Sequence, residues 1–410
     1  MTTLAPAKPA DRTTSDRFTI ISSDCHAGAN HATYREYLTK EWQEEFDAWR
    51  GKYANPFRDL QDDGRSRNWD DERRVADLHA DGIVAEVTFP NTVPPFFPTG
   101  AVIAAAPTSD NYERRLVGIR AHNRWLVDFC NERPGQRAGL AQIFLNDVDD
   151  AVQEIHWAKE HGLHSILLPA VAPNSHLAPL YAPEYDPVWR ACEETGLPVT
   201  AHSGGTGMPN FGKYPIANLV FVLESSFYSN RSLWHLLMSG VFERFPTMKF
   251  AMTEQGSAWV PDLLDRLDNL HAQLVRDGRI GELGLEADVI LPLKPSDYFR
   301  RQVYIGASFP SPSDAAVFHD IGLDHVMWGS DYPHHEACWP YSRESLRRTF
   351  AGWSEADLRQ VLAGTAASVY GFDLDLLAPI AADVGPTVAE VATPLDEIPA
   401  DATSPSFHRN

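Results

Sequence analysis

The sequence predicts an α/β chain folded as a (β/α)8 TIM barrel, with long insertions after its first and second strands. Three observations predict it. Eight short runs rich in Val, Ile and Leu lack clean alternation, as strands buried on both faces should. Amphipathic helical stretches lie between many of them, and parallel strands need such crossovers. Side chains able to bind a metal stand at the C-terminal ends of four of the eight runs, where a barrel assembles its chemistry.

The expected strands are Thr19–Asp24, Ile83–Phe89, Gly139–Phe144, Ser165–Pro169, Pro198–His202, Lys249–Glu254, Gln302–Gly306 and His325–Asp331. Helical patterns cover Glu113–Asn131, Val148–His161, Pro183–Thr195, Ile216–Ser239 and Ala258–Gln273. Gly162, Gly196 and Gly240 follow three of them as expected C-terminal stops. A doubly wound open sheet is the alternative architecture, but no Gly-x-Gly-x-x-Gly follows the first strand. The first insertion, Ala27–Asp71, carries Trp42, Trp49 and Trp69. The second, Pro90–Thr108, begins with NTVPPFFPTG and carries Phe96 and Phe97. Long loops at strand C-termini usually shape a pocket, so these aromatic residues are expected to form an apolar wall. No internal repeat is present.

Residues 1–17 read as a flexible arm, 18–373 as the barrel, and 374–410 as a C-terminal tail of poor helical periodicity that wraps a neighbouring surface. Of the 410 residues, 43% are hydrophobic and 22% charged, which suits a globular chain with a sizeable core. The formal net charge of −21 disfavours binding to nucleic acid. No apolar run is long enough to span a membrane, and the polar N-terminus lacks a signal-peptide core. Four scattered cysteines without a Cys-x-x-Cys pair suit reduced thiols in a cytoplasm.

Asp24 and His26 are two residues apart on an extended segment, so both point to one face and Cys25 points away. The bland alternative is an Asp that caps the loop beside an exposed His. His202 ends the fifth strand before Ser203-Gly204-Gly205, where small residues leave open space. It is either a ligand or a hydrogen-bonded core imidazole. Glu254 ends Phe250-Ala251-Met252-Thr253, where an unpaired charge would be costly. It is a ligand, a base, or half of an internal ion pair. Asp331 stands before Tyr332-Pro333, with His334 and His335 next. It could otherwise cap the following helix. Together Asp24, His26, His202, Glu254 and Asp331 are expected to hold metal at one barrel mouth, with Asp331 and His334 as the catalytic pair.

At these residues the chain resembles the amidohydrolase superfamily, in the branch grouped with aminocarboxymuconate-semialdehyde decarboxylase. The resemblance rests on Asp24-Cys25-His26, Ala201-His202-Ser203-Gly204-Gly205, Gly329-Ser330-Asp331-Tyr332-Pro333-His334, and the late run Val361–Phe372 that resembles the branch's closing helix. It covers roughly residues 18–373. Two departures stand out. The family's usual His-x-His is Asp24-x-His26 here, and Glu254 stands where a His often follows the sixth strand. No lysine is visible in the fourth strand, so the carbamylated lysine of some relatives is not expected.

The resulting set is rich in carboxylates, which suits iron or manganese as well as zinc. It is similar in ligand type to the dinuclear oxygenases of this fold, such as the 2-aminoisobutyrate and diterpenoid hydroxylases. The expectation placed first is therefore an O2-dependent hydroxylase of a small organic substrate, with two divalent ions of iron, manganese or both. The second is hydrolysis or non-oxidative decarboxylation with a metal-bound water, zinc serving if it is a hydrolase. The third is a non-catalytic subunit. A homo- or hetero-oligomer with a related barrel is the expected assembly.

Overall fold

Eight parallel strands hydrogen-bond side by side in chain order and close on themselves. The computed structural model describes residues 16–52, 63–100, 103–169, 171–173, 175–204, 208–284 and 290–409. The barrel strands are β1 (Ile21–Ala27), β2 (Ala85–Pro90), β3 (Arg137–Gln142), β4 (Ser165–Leu167), β5 (Val199–His202), β6 (Phe250–Thr253), β9 (Val303–Ser308) and β10 (Val326–Gly329). Between β6 and β9, β7 (Arg279–Ile280) and β8 (Leu283–Gly284) make a small antiparallel hairpin outside the barrel. All eight expected strands are present, and β9 runs two residues beyond its expected end, to Ser308.

The expected helices are present too. They are Tyr112–Asn131, Val148–Glu160, Asp186–Thr195, Ala217–Leu237 and Val260–Asp277. Gly196 ends its helix in the left-handed region, at φ 68°, a conformation that costs glycine nothing. Inside the barrel, Ile21, Val87, Leu140, Leu167, Ala251 and Met327 pack into one cluster with Val369 and Tyr370 of the helix Thr365–Tyr370. The opposite strand faces, including Cys25, Ile166, Val199, Phe250 and Trp328, pack with the surrounding helices.

β1 carries one extra residue. Ser22 pairs with Glu86 and Cys25 with Thr88, so three steps on β1 match two on β2. The bulge changes which residues face inward. Ile21 lies in the interior cluster while Cys25 lies in the outer one, although the two have the same parity. Asp24 and His26 therefore face the barrel axis. Closure occurs beside them, since the Asp331 amide donates to the Asp24 carbonyl at 2.8 Å and the His26 amide to the Tyr332 carbonyl at 2.7 Å. Gly329 makes room at this seam, because a Cβ there would lie 2.7 Å from that of Asp24.

The C-terminal segment departs from the expected tail. It forms helices at Leu374–Val384, Val388–Ala392 and Pro405–His408. Leu377, Ala381, Val391 and Phe407 are buried against the same chain. Prolines and acidic residues at the helix ends obscured the short periodicities. Of the N-terminal arm, residues 1–15 lie outside the described residues, and Arg17 bridges to Thr387. The insertion tryptophans pack into the fold: Trp69 lies against the main core, and Trp42 and Trp49 surround Phe96. All four cysteines are buried and unbridged. Among the described residues no helix is long and apolar enough to cross a membrane.

Candidate metal centre and adjoining cleft

The strand ends bring all five expected donors to one place. Asp24 Oδ1 lies 3.3 Å from His26 Nε2 and 3.5 Å from His202 Nε2. Asp331 Oδ1 is 3.2 Å from the same His26 nitrogen, and Glu254 Oε2 is 3.5 Å from His202 Nε2. One ligand atom each from Asp24, His26 and His202 falls within 4.8 Å of the others. Asp24, His26, His202 and Asp331 are buried, and the Glu254 side chain keeps 19% exposure. Gly205 of the expected His202 motif lies outside the described residues.

The surroundings of these groups fit a cation. His202 Nδ1 bonds the Ser203 carbonyl at 2.8 Å, and His26 Nδ1 faces the Pro90 carbonyl at 3.4 Å. A ring nitrogen that faces a carbonyl keeps its hydrogen, which leaves the Nε2 lone pair aimed inward in each ring. Ser308 Oγ donates to Asp24 Oδ2, so Oδ1 is the oxygen presented to the imidazoles. Asp24 Oδ1, His26 Nε2 and Asp331 Oδ2 are buried yet make no hydrogen bond. Of these, Asp24 Oδ1 and His26 Nε2 converge, which suits a bound cation and is costly without one.

Two donors stand on unusual backbone. Glu254 has φ 61° and Asp331 φ 65°. Non-glycine residues in the left-handed region cost about 1–3 kcal/mol each and concentrate at functional sites. The turn after Asp331 brings His334 back, and its Nδ1 bonds Asp331 Oδ1 at 2.8 Å while its Nε2 meets Asn91 Oδ1 at 3.1 Å. Both ring nitrogens thus face protein oxygens, so His334 stands as the partner of Asp331. His335 is exposed. His26, Asp331 and His334 form a second group of possible ligands, and Glu336, which the sequence did not single out, joins Glu254 and Asp331 in a third.

Burial opposes charge throughout, and the neighbours decide the outcome. Burial raises the Asp24 and Asp331 carboxyls, but the imidazoles beside them (His202 and His26 for Asp24, His334 and His26 for Asp331) hold both below the ordinary carboxylate range. Burial and the nearby Asp331 push Glu254 up to about 8. Burial would depress His334, but the Asp331 carboxylate raises it to about 10.

Beside His202 a narrow cleft of about 40 Å3 opens between the β3, β4 and β5 ends. Its apolar lining includes Phe97, Phe144, Leu145 and Leu168, and its polar lining includes Arg115, Gln142 and Asn146. Phe97 is the part of the expected aromatic wall that reaches the cleft; Phe96 packs against Phe46 and the insertion tryptophans. Ser308, Asn91, Arg115 and Gln142 went unmarked in the sequence reading. Ser308 had a detectable signal, as the polar end of an apolar run.

With this geometry in place, the chain can be compared with known proteins. A model of the Amidohydrolase family matches residues 24–372. The gamma-resorcylate decarboxylase of Rhodococcus jostii is 23% identical over 282 residues, covering 64% of this chain and 78% of that protein. A structure of 5-carboxyvanillate decarboxylase from Novosphingobium aromaticivorans, complexed with manganese and 4-hydroxy-3-methoxy-5-nitrobenzoic acid, has a TM-score of 0.65 and 20% identity, with 87% of this chain and 97% of that one covered. The dihydroxybenzoic acid decarboxylase of a Polaromonas species, with bound manganese and the inhibitor 2-nitroresorcinol, gives a TM-score of 0.60 at 18% identity, covering 86% and 97%. At these identities the structural likeness carries the fold alone.

Proposed function

Since this chain belongs to the Amidohydrolase family, we propose that it is a metal-dependent enzyme catalysing the non-oxidative decarboxylation of an aromatic or similarly unsaturated organic acid. The observation that carries the reading is the buried meeting of Asp24 Oδ1, His26 Nε2 and His202 Nε2 beside Asp331. The names of the relatives support it: the curated protein and both structures described above are decarboxylases. Decarboxylation, the second expectation from the sequence, thus stands ahead of O2-dependent hydroxylation.

Decarboxylation replaces a carbon–carboxylate bond with a carbon–hydrogen bond. A proton adds to the carbon that bears the carboxylate, CO2 leaves, and the electron pair of the broken bond returns to the unsaturated system. A divalent cation on Asp24, His26 and His202 would supply Lewis acidity toward the substrate's oxygens; manganese, present in both related structures, is the first ion to test. Asp331 is the group assigned to proton transfer. His334 holds its Oδ1, which leaves Oδ2 for the exchange. Asn91 fixes His334 from behind. The apolar side of the cleft would keep water from the reacting carbon.

The test is CO2 release under strict anaerobiosis from a panel of hydroxybenzoates, with protein purified in manganese. Turnover without O2 is the expected result. Substrate-dependent O2 uptake with no anaerobic turnover would overturn it. Asp24→Asn should lower bound metal by about tenfold or more, as loss of a charged ligand predicts, and elemental analysis reads this without an assay of activity.

A second reading has one observation in its favour. Glu254, Asp331 and Glu336 form a group of carboxylates next to the first cluster, and carboxylates can hold a second ion. An O2-dependent hydroxylase with iron, manganese or both would then contain two ions per chain and consume O2 with its substrate.

A further inference from the structure

We propose that Arg115 and Gln142 form an anion-binding end of the cleft, so that the substrate is an organic acid with a second anionic group, held away from the metal-facing end. Arg115 lies in the first turn of the helix Tyr112–Asn131, and its side chain is only 5% exposed. Its guanidinium stacks over Phe97 at 4.1 Å and near Phe144 at 5.4 Å. Nη1 donates to the Ala105 carbonyl at 2.7 Å, while Nε is buried without a hydrogen-bond partner. Among the described residues no carboxylate pairs with it. The contrast with the other buried arginines is plain, since Arg74 and Arg137 both bind Glu86.

Gln142, at the end of β3, is the second unpaired donor of this cleft. It is 4% exposed, and its Nε2 makes no hydrogen bond. Both residues line the cleft that His202 also lines. A buried cation without a counter-ion is rare because desolvation opposes the charge. Burial brings the Arg115 guanidinium down to about 10, still charged at neutral pH. Two buried donors without hydrogen-bond partners, on residues that line one cleft and one of them cationic, match the acceptor chemistry of a carboxylate. Phe97, Phe144, Leu145 and Leu168 supply the apolar walls beside them.

The inference rests on the proposed decarboxylation for what happens at the metal-facing end, but binding can be read without turnover. The probes are benzoate, isophthalate and terephthalate, titrated calorimetrically into manganese-loaded protein; the two dicarboxylates differ in the spacing of their charges. Wild type should bind at least one dicarboxylate about tenfold more tightly than benzoate, as a charge-assisted pair implies. Arg115→Met should abolish that preference and leave benzoate binding within about twofold, and Arg115→Lys should keep part of it. Gln142→Leu should reduce the preference by about threefold or more, and it decides the question if Arg115→Met does not fold. A wild-type protein with no preference for either dicarboxylate overturns the inference, as does a folded Arg115→Met or Gln142→Leu that keeps it. Failure of every acid to release CO2 instead overturns the reaction and leaves this binding result standing.

Discussion

Asp24 divides its two oxygens between tasks: Ser308 anchors one, and the other faces two imidazoles. His334 sits in a comparable arrangement between Asp331 and Asn91. If His334 orients Asp331 and does not bind metal, His334→Gln should leave metal content unchanged while kcat falls by about 10^2-fold, the lower range for general acid–base groups. Elemental analysis paired with steady-state kinetics separates the two roles. Farther out, Glu86 accepts from both Arg74 and Arg137, and Arg74 also donates to the His26 carbonyl at 2.8 Å. Glu86→Ala would leave two buried guanidinium groups without their shared carboxylate. Its expected cost is about 3–5 kcal/mol, readable by urea denaturation. The donors Asp24, His26, His202, Glu254 and Asp331 were legible because each is a polar residue that ends an apolar run. Arg115 was not, because within Glu113-Arg114-Arg115-Leu116 an arginine that turns inward looks the same as one that faces water. Asn91 meets His334 in a distant turn and Gln142 is set apart by an amide that lacks a partner, and no local pattern reports either.

Among the elements, β1 is the one whose geometry matters most to the site. Alternation puts Asp24 and His26 on one face, and that much follows from sequence. Which face is inward does not, because the bulge between Ser22 and Cys25 reverses the parity set by Ile21. The helix Asp71–Ala80 offers a separate, pH-dependent test at its C-terminal cap, Asp81. Burial pushes the Asp81 carboxyl up to about 7, although the Ser342 hydroxyl and amide both donate to it. An acid with a raised pKa in the folded state holds its proton where the unfolded chain has released it. Stability from this group is therefore full below the ordinary value of 3.8 and declines as pH rises toward 7. Asp81→Asn should flatten that decline. It should exceed wild type by on the order of 3 kcal/mol at pH 8, with the gap closing toward pH 4, in thermal melts across that range. The C-terminal helices were hidden for a different reason. Each is short and is stabilised by burial of a few side chains such as Leu377, Val391 and Phe407, so periodicity had little length over which to appear.

For the whole molecule, barrel architecture was the most legible property, because eight buried parallel strands leave eight separate marks in the sequence. A cation bound by the folded chain alone stabilises it by mass action, by about 2.7 kcal/mol at a hundredfold excess over Kd. Addition of manganese should raise Tm, and a chelator should lower it again in differential scanning calorimetry. The closure of β1 on β10 gives this coupling a location. Ser22 and Ser330, hydrogen-bonded across that seam, are 308 residues apart in the chain, and Asp24 and Asp331 sit beside them. A nascent chain can complete every earlier strand and still lack Asp331 beside its cation site until the last one arrives. Metal capture and closure of the barrel are then coupled at this seam. In reverse, loss of the ion loosens β1 and β10 first. Amide exchange at Cys25–Ala27 and Trp328–Asp331 should slow on metal addition well before that of β4 or β5, and the barrel would open along the β1–β10 seam.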